Sequence, residues 1–158
     1  MNDIAFARAL HVLAVVVWIG GAFMATAVVL PAIRRGELGP APFKALHAIE
    51  HRFIWYARSA AVLVAVTGLY MTWRMQLWER FRLAAFWWMH AMVALWLLFA
   101  FALFIAEPFI VRRRFGRLAQ EKPEQALRLI HRAHWVLMTL SAVTIFAAVA
   151  GSWGGGPF

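Results

Sequence analysis

Four windows without charge, or nearly so, restrict what this 158-residue sequence can fold into. Ala9–Ile33 lies between Arg8 and Arg34, Leu83–Ala106 lies between Arg82 and Glu107, and Ala133–Trp153 follows Arg132. Phe53–Trp73 is interrupted only by Arg58, which sits near enough to one end for its guanidinium to snorkel to an interface. A helix needs about 20 apolar residues to cross a hydrocarbon layer about 30 Å thick, and each window is long enough. The sequence therefore predicts an all-α protein, a four-helix transmembrane bundle forming one domain over 1–158, with helices at about 5–33, 42–74, 83–112 and 123–153. The first window is too long for a cleavable signal peptide, and no small-residue cleavage site leading into a soluble domain follows it.

Charge is distributed as a membrane topology requires. Arg8, Arg74, Arg80 and Arg82 flank one face of the slab. Arg34, Arg35, Lys44, Arg52, Arg112, Arg113, Arg114, Arg117, Lys122, Arg128 and Arg132 flank the other, with Arg58 nearer that side. The positive-inside rule then predicts both termini outside and the two basic turns in the cytoplasm. This topology also accounts for the net charge of +9 without nucleic acid as a partner, because the aromatic residues that would stack on bases lie in the spans. Trp73, Trp78, Trp87, Trp88 and Trp153 gather near the outer boundary, and Trp55, Tyr56 and Trp135 near the inner one, as an interfacial belt does. The chain has no cysteine, which excludes disulfides, thiolate metal sites and covalent c-type haem.

The two halves of the chain resemble each other. His11, Trp18, Pro31 and Arg34-Arg35 are followed, in the second half, by His90, Trp96, Pro108 and Arg112-Arg113-Arg114. Beyond each basic turn, "PFKALHAIEHRFIW" parallels "PEQALRLIHRAHW", aligning His51 with His131 and Trp55 with Trp135. Such a pattern predicts two similar helical hairpins, a parallel repeat about an axis along the membrane normal. Pro42 and Pro123 suit first helical positions, so helices two and four begin before the membrane. The glycine-rich tail "GSWGGGPF" is expected to fray.

Under that repeat His11 and His90 occupy equivalent positions in the outer half and can face each other across the axis. Two imidazoles so placed suit a b-type haem iron, packed by aromatic and aliphatic side chains. The competing reading gives each histidine a backbone carbonyl or a hydroxyl on a neighbouring helix. A second group, His47, His51, His131 and His134, lies at the inner end. Arg52, Arg58, Arg128 and Arg132 are available there for propionates, and Arg58 has a lipid phosphate or simple snorkelling as alternatives. Met71, Met75 and Met89 beside His11 and His90 offer a copper site instead, since thioether and imidazole suit Cu(I). Hydrolytic catalysis finds no support: Ser59, Ser141 and Ser152 have no histidine and carboxylate at workable depth, and Glu107 marks the inner end of the third span.

"HVLAVVVWIGG", "LPAIRR" and "RFIWYARSAAVLVAVTGLYM" together resemble the CopD-like (copper-resistance protein D) superfamily of bacterial integral membrane proteins. There the first helix tends to carry His, then Trp-x-Gly-Gly, then Pro and basic residues, and the second ends in Thr-Gly. His11, Trp18, Gly20, Gly21, Thr67 and Gly68 match this pattern. The chain is also similar to the four-helix, haem-associated protoporphyrinogen oxidases, but "FWWMHAMVALW" lacks the lysine those proteins often carry near the start of helix three. That departure favours bis-histidine ligation. The resemblance implies a bacterial inner membrane protein, multi-pass, with periplasmic termini. The resulting expectation is haem b held by His11 and His90 for electron transfer or haem-linked redox chemistry, with His51, His131, His134 and Arg58 as further cofactor-binding candidates. Quinol or a redox partner protein would exchange the electrons, and an oligomer is compatible with the reading. Copper binding or transport and porphyrinogen oxidation are the alternative functions.

Overall fold

The computed structural model describes residues 3–37, 39, 42–107 and 121–152. Four helices in it are long and apolar enough to cross a membrane. We label them α1 (Asp3–Arg34), α2 (Pro42–Arg74), α3 (Ala84–Glu107) and α4 (Pro123–Ser152). Among the described residues no strand occurs. Arg112, Arg113, Arg114, Arg117 and the tail from Trp153 lie outside the described residues, as does the side chain of His47.

Helix is the form these sequences take because lipid offers no partner to a backbone N–H or C=O, so each must be satisfied within the segment. The termini follow local rules. Asp3 Oδ1 accepts the Ile4 N–H at 3.0 Å, an acid placed at the positive end of a helix. Gly36 ends α1 at φ 73°, with Gly36 N–H donating to the Ile33 carbonyl at 3.1 Å. Gln76 takes the left-handed conformation that closes α2, at φ 55°, and a short 3-10 turn at Leu77–Arg82 carries the chain to α3, whose first turn, Ala84–Phe86, is also 3-10.

Prolines disturb two of the helices. Pro31 follows a π-helical turn at Ala25–Val29, in which Leu30 N–H donates to the Ala25 carbonyl. The widened turn relieves the clash a proline ring makes with the preceding carbonyls. Residues 102–107 of α3 are also π-helical, and Pro108 is the next residue.

The first helix packs chiefly on the second, and the third on the fourth. Ala57, Ala60, Ala61 and Val64 present one small-residue face of α2 and let α1 approach closely. Ala14 and Trp18 of α1, Phe99 of α3 and Met138 of α4 complete this core. Trp18 meets Phe99 edge to face at 4.9 Å, and Trp96 Nε1–H donates to the Ala61 carbonyl at 2.9 Å, tying α3 to α2. A second cluster near the basic turns joins Val29, Leu30 and Ile33 to Leu46 and Leu127. Large apolar residues outside these clusters, Val16, Val66, Phe146 and Val149 among them, are exposed on the bundle surface, where a bilayer solvates them. Asp3 Oδ2 accepts from Tyr70 Oη at 2.8 Å and Arg74 Nε at 3.2 Å, so the start of α1 and the end of α2 share one end of the bundle. Gly151 packs on the Trp88 ring, which brings the end of α4 to the start of α3. We call the end bearing Asp3 the terminal end and the opposite one, with Arg34, the basic end.

The two glycines of "WIGG" are unequal. A Cβ on Gly21 would lie 2.1 Å from Phe53 Cε2, whereas a Cβ on Gly20 would meet nothing within 4 Å. Gly21→Leu is therefore expected to cost about 1–3 kcal/mol by overpacking, and Gly20→Leu close to nothing. Thermal unfolding in detergent checks this. Phe53→Ala in the Gly21→Leu background should recover part of the loss.

Candidate cofactor site

His11 lies on the face of α1 that carries the buried residues Ala7, Ala14 and Trp18, a spacing of one and two turns that directs all four toward α2. Its Nδ1 is 2.9 Å from Thr67 Oγ1. Thr67 is itself buried, and its hydroxyl donates to the Leu63 carbonyl at 2.6 Å. A threonine has one hydroxyl proton to give, so the bond to His11 runs from Nδ1–H to Oγ1. With the Thr67 proton on the Leu63 carbonyl, the matching neutral tautomer of His11 is protonated at Nδ1 and carries its lone pair on Nε2. Gly68 makes room: a Cβ there would stand 3.4 Å from His11 Cε1. Thr67 and Gly68 thus act together, one orienting the ring and the other admitting it.

His90 is differently placed. Its Nε2–H donates to the Phe81 carbonyl at 2.9 Å, and the ring meets Phe81 edge to face at 5.5 Å. The residue is exposed while its neighbour Met89 is buried, so α3 turns the methionine inward and the imidazole outward. The structure gives His11 and His90 separate partners and does not bond one to the other. Among the described residues no group of three or more histidines and carboxylates stands close enough to hold a metal ion.

At the basic end the candidates are dispersed. His51 is exposed. His134 donates Nδ1–H to the Ile130 carbonyl one turn back, at 3.0 Å. His131 lies between Arg34, at 3.3 Å, and the Trp135 indole, at 2.8 Å.

Arg58 has protein partners. Nε and Nη2 donate to the Leu103 carbonyl at 3.1 and 2.8 Å, and Nη2 also reaches Glu107 Oε2 at 3.2 Å. The π turn explains why. In that register the Leu103 carbonyl would be bonded by the amide of residue 108, which is a proline and has no N–H. The guanidinium supplies the missing donors, and Trp55 and Phe104 each lie 5.7 Å from it. Sequence reading found Arg58 by its depth and Glu107 by its position, but not this pairing. Proline at 108 was the available signal.

Two apolar grooves open on the bundle. One, about 440 Å³, is lined by Ile19, Gly20 and Phe23 of α1 and by Trp135, Met138 and Thr139 of α4 among others. The other, about 180 Å³, lies between Trp87, Trp88 and the end of α4. No histidine lines either. No family model, no curated protein and no solved structure matches this chain.

Removing the guanidinium leaves a carboxylate and a carbonyl short of donors in a poorly solvated place. Arg58→Gln is expected to cost about 2–4 kcal/mol, measured by denaturant or thermal unfolding. Arg58→Gln with Glu107→Gln should be more stable than Arg58→Gln alone, since the charge that Arg58 offsets is gone with it.

Proposed function

We propose that this chain is a haem b-binding multi-pass protein of the bacterial inner membrane that serves electron transfer or haem-linked redox chemistry. The observation that carries the reading is the His11 ring, half-buried between α1 and α2, with Nδ1–H spent on Thr67 and the lone pair left on Nε2. Histidines that ligate metals are oriented in this way, through a hydrogen bond from the other ring nitrogen. The donor chemistry at His11 therefore fits an iron ligand. His90 is the proposed second ligand, and to bind through Nε2 it must exchange the Phe81 carbonyl for the metal.

The residues then have distinct tasks. His11 binds, Thr67 orients it, and Gly68 leaves it space. Trp18 and Phe99 exclude water from the core below. Bound haem, held by His11 and His90, would supply one-electron Fe(III)/Fe(II) cycling. Arg58 donates to Leu103 and Glu107 within the bundle, so the reading assigns it no propionate. The proposal is accordingly for one haem, near the terminal end.

Duplicated hairpins and periplasmic termini belong to the same reading. In support of duplication, both Pro31 and Pro108 follow a π-helical stretch, at Ala25–Val29 and at 102–107. In support of the topology, Arg34, Arg35, Arg52, Arg128 and Arg132 all lie toward the basic end.

The reduced-minus-oxidised spectrum of detergent-purified protein tests the function. A sharp α band is expected, lost in His11→Ala and His90→Ala. Thr67→Val should keep the fold and weaken haem retention by about tenfold or more. Colourless protein that binds Cu(I) stoichiometrically would overturn the reading in favour of copper handling through His11, His90, Met71 and Met75. Oxidation of a porphyrinogen by the purified chain would assign it to that chemistry instead.

A further inference from the structure

Arg34 ends α1 at the basic end, and there it meets His131, whose other ring nitrogen meets Trp135, one turn further along α4. The two contacts cannot both be hydrogen bonds. Arg34 Nη1 lies 3.3 Å from His131 Nδ1, and Trp135 Nε1 lies 2.8 Å from His131 Nε2. A guanidinium and an indole only donate. A neutral imidazole has one lone pair, so it accepts from one of them and turns its own N–H toward the other. A protonated imidazole accepts from neither. Whichever state His131 takes, the cluster holds more N–H groups than acceptors, and at this exposed position the remaining donors are open to water or to a headgroup oxygen.

Three carboxylates of this end are paired with other arginines. Among the described residues the ion pairs here are Arg35 with Glu37, Arg58 with Glu107 and Arg128 with Glu124. None includes Arg34. Position adds a second constraint. Arg34 closes the first membrane-spanning segment, so its guanidinium is at headgroup depth, and Trp135 is 45% exposed on the bundle surface, as an interfacial tryptophan is.

We infer that Arg34, His131 and Trp135 form a binding site for a phosphate group, that of a membrane lipid headgroup or free phosphate. A phosphate oxygen accepts from the guanidinium, a second from the indole N–H, and the imidazole N–H is satisfied by either. The site needs no haem and stands apart from His11.

Native mass spectrometry of the full chain from maltoside micelles, which carry no phosphate, tests this. Phosphatidylglycerol and diacylglycerol with the same acyl chains are the probes, and inorganic phosphate is the competitor. Phosphatidylglycerol should bind about tenfold more tightly than diacylglycerol, and Arg34→Gln and Trp135→Phe should each remove most of that difference. Arg128→Gln should not, because Arg128 has Glu124. Thermal unfolding of each variant separates loss of binding from loss of fold. Displacement by millimolar inorganic phosphate would assign the site to free phosphate as well, and its failure would assign it to the headgroup. Equal binding of the two lipids, or a preference unchanged by Arg34→Gln, would overturn the inference.

Discussion

A backbone carbonyl in hydrocarbon must find a donor within the protein, and the Leu103 carbonyl finds Arg58. That bond explains a cation inside a span, ties α2 to α3 and fixes where Glu107 sits. Its origin is covalent. Proline has no N–H, and where the π register assigns residue 108 to the Leu103 carbonyl, no amide exists to fill it. Trp96 makes a second tie between the same helices through its indole N–H and the Ala61 carbonyl. In water such bonds would be worth little, because solvent competes. In a bilayer the alternative is an unpaired group, so a few of them set how the hairpins meet.

The seam between α1 and α2 rests on a different device. Alanines on α2 allow close approach, and His11 enters it beside Gly68, the one residue there with no Cβ to block the ring. Thr67 then spends its proton on its own helix, which leaves its oxygen to accept from His11. A side chain that usually back-bonds only to bend a helix thereby selects a tautomer. The consequence is chemical: an oriented imidazole whose lone pair, in that tautomer, lies on Nε2, as the proposed ligand role requires.

The four spans were legible because charge-free length is a direct physical requirement of the bilayer. Which residues meet across helices was not. His11 and His90 hold equivalent places in the sequence pattern, but equivalence along the chain does not set the rotation of a helix, and α3 buries Met89 while exposing His90. Thr67-Gly68 was visible as a family-like dipeptide without its role, since the register of α1 against α2 is a packing outcome. Arg58 was visible as an anomaly of depth, yet its partner is a backbone atom of another helix, which no side-chain motif announces. The donor excess around His131 is of the same kind. It appears only when Arg34, at the end of α1, is placed beside α4.

The proposed ligand role of His11 depends on which ring nitrogen carries the proton, and nitrogen-15 NMR of the imidazoles in haem-free protein reads this directly, with His11→Gln to assign the signal. The arrangement with Thr67 predicts a neutral His11 ring protonated at Nδ1, with an unprotonated Nε2, and a reversal or mixture of tautomers in Thr67→Val. A His11 protonated at Nε2 in the unaltered chain would contradict it, because the lone pair would then lie on Nδ1, facing Thr67, and not on the nitrogen the account assigns to iron.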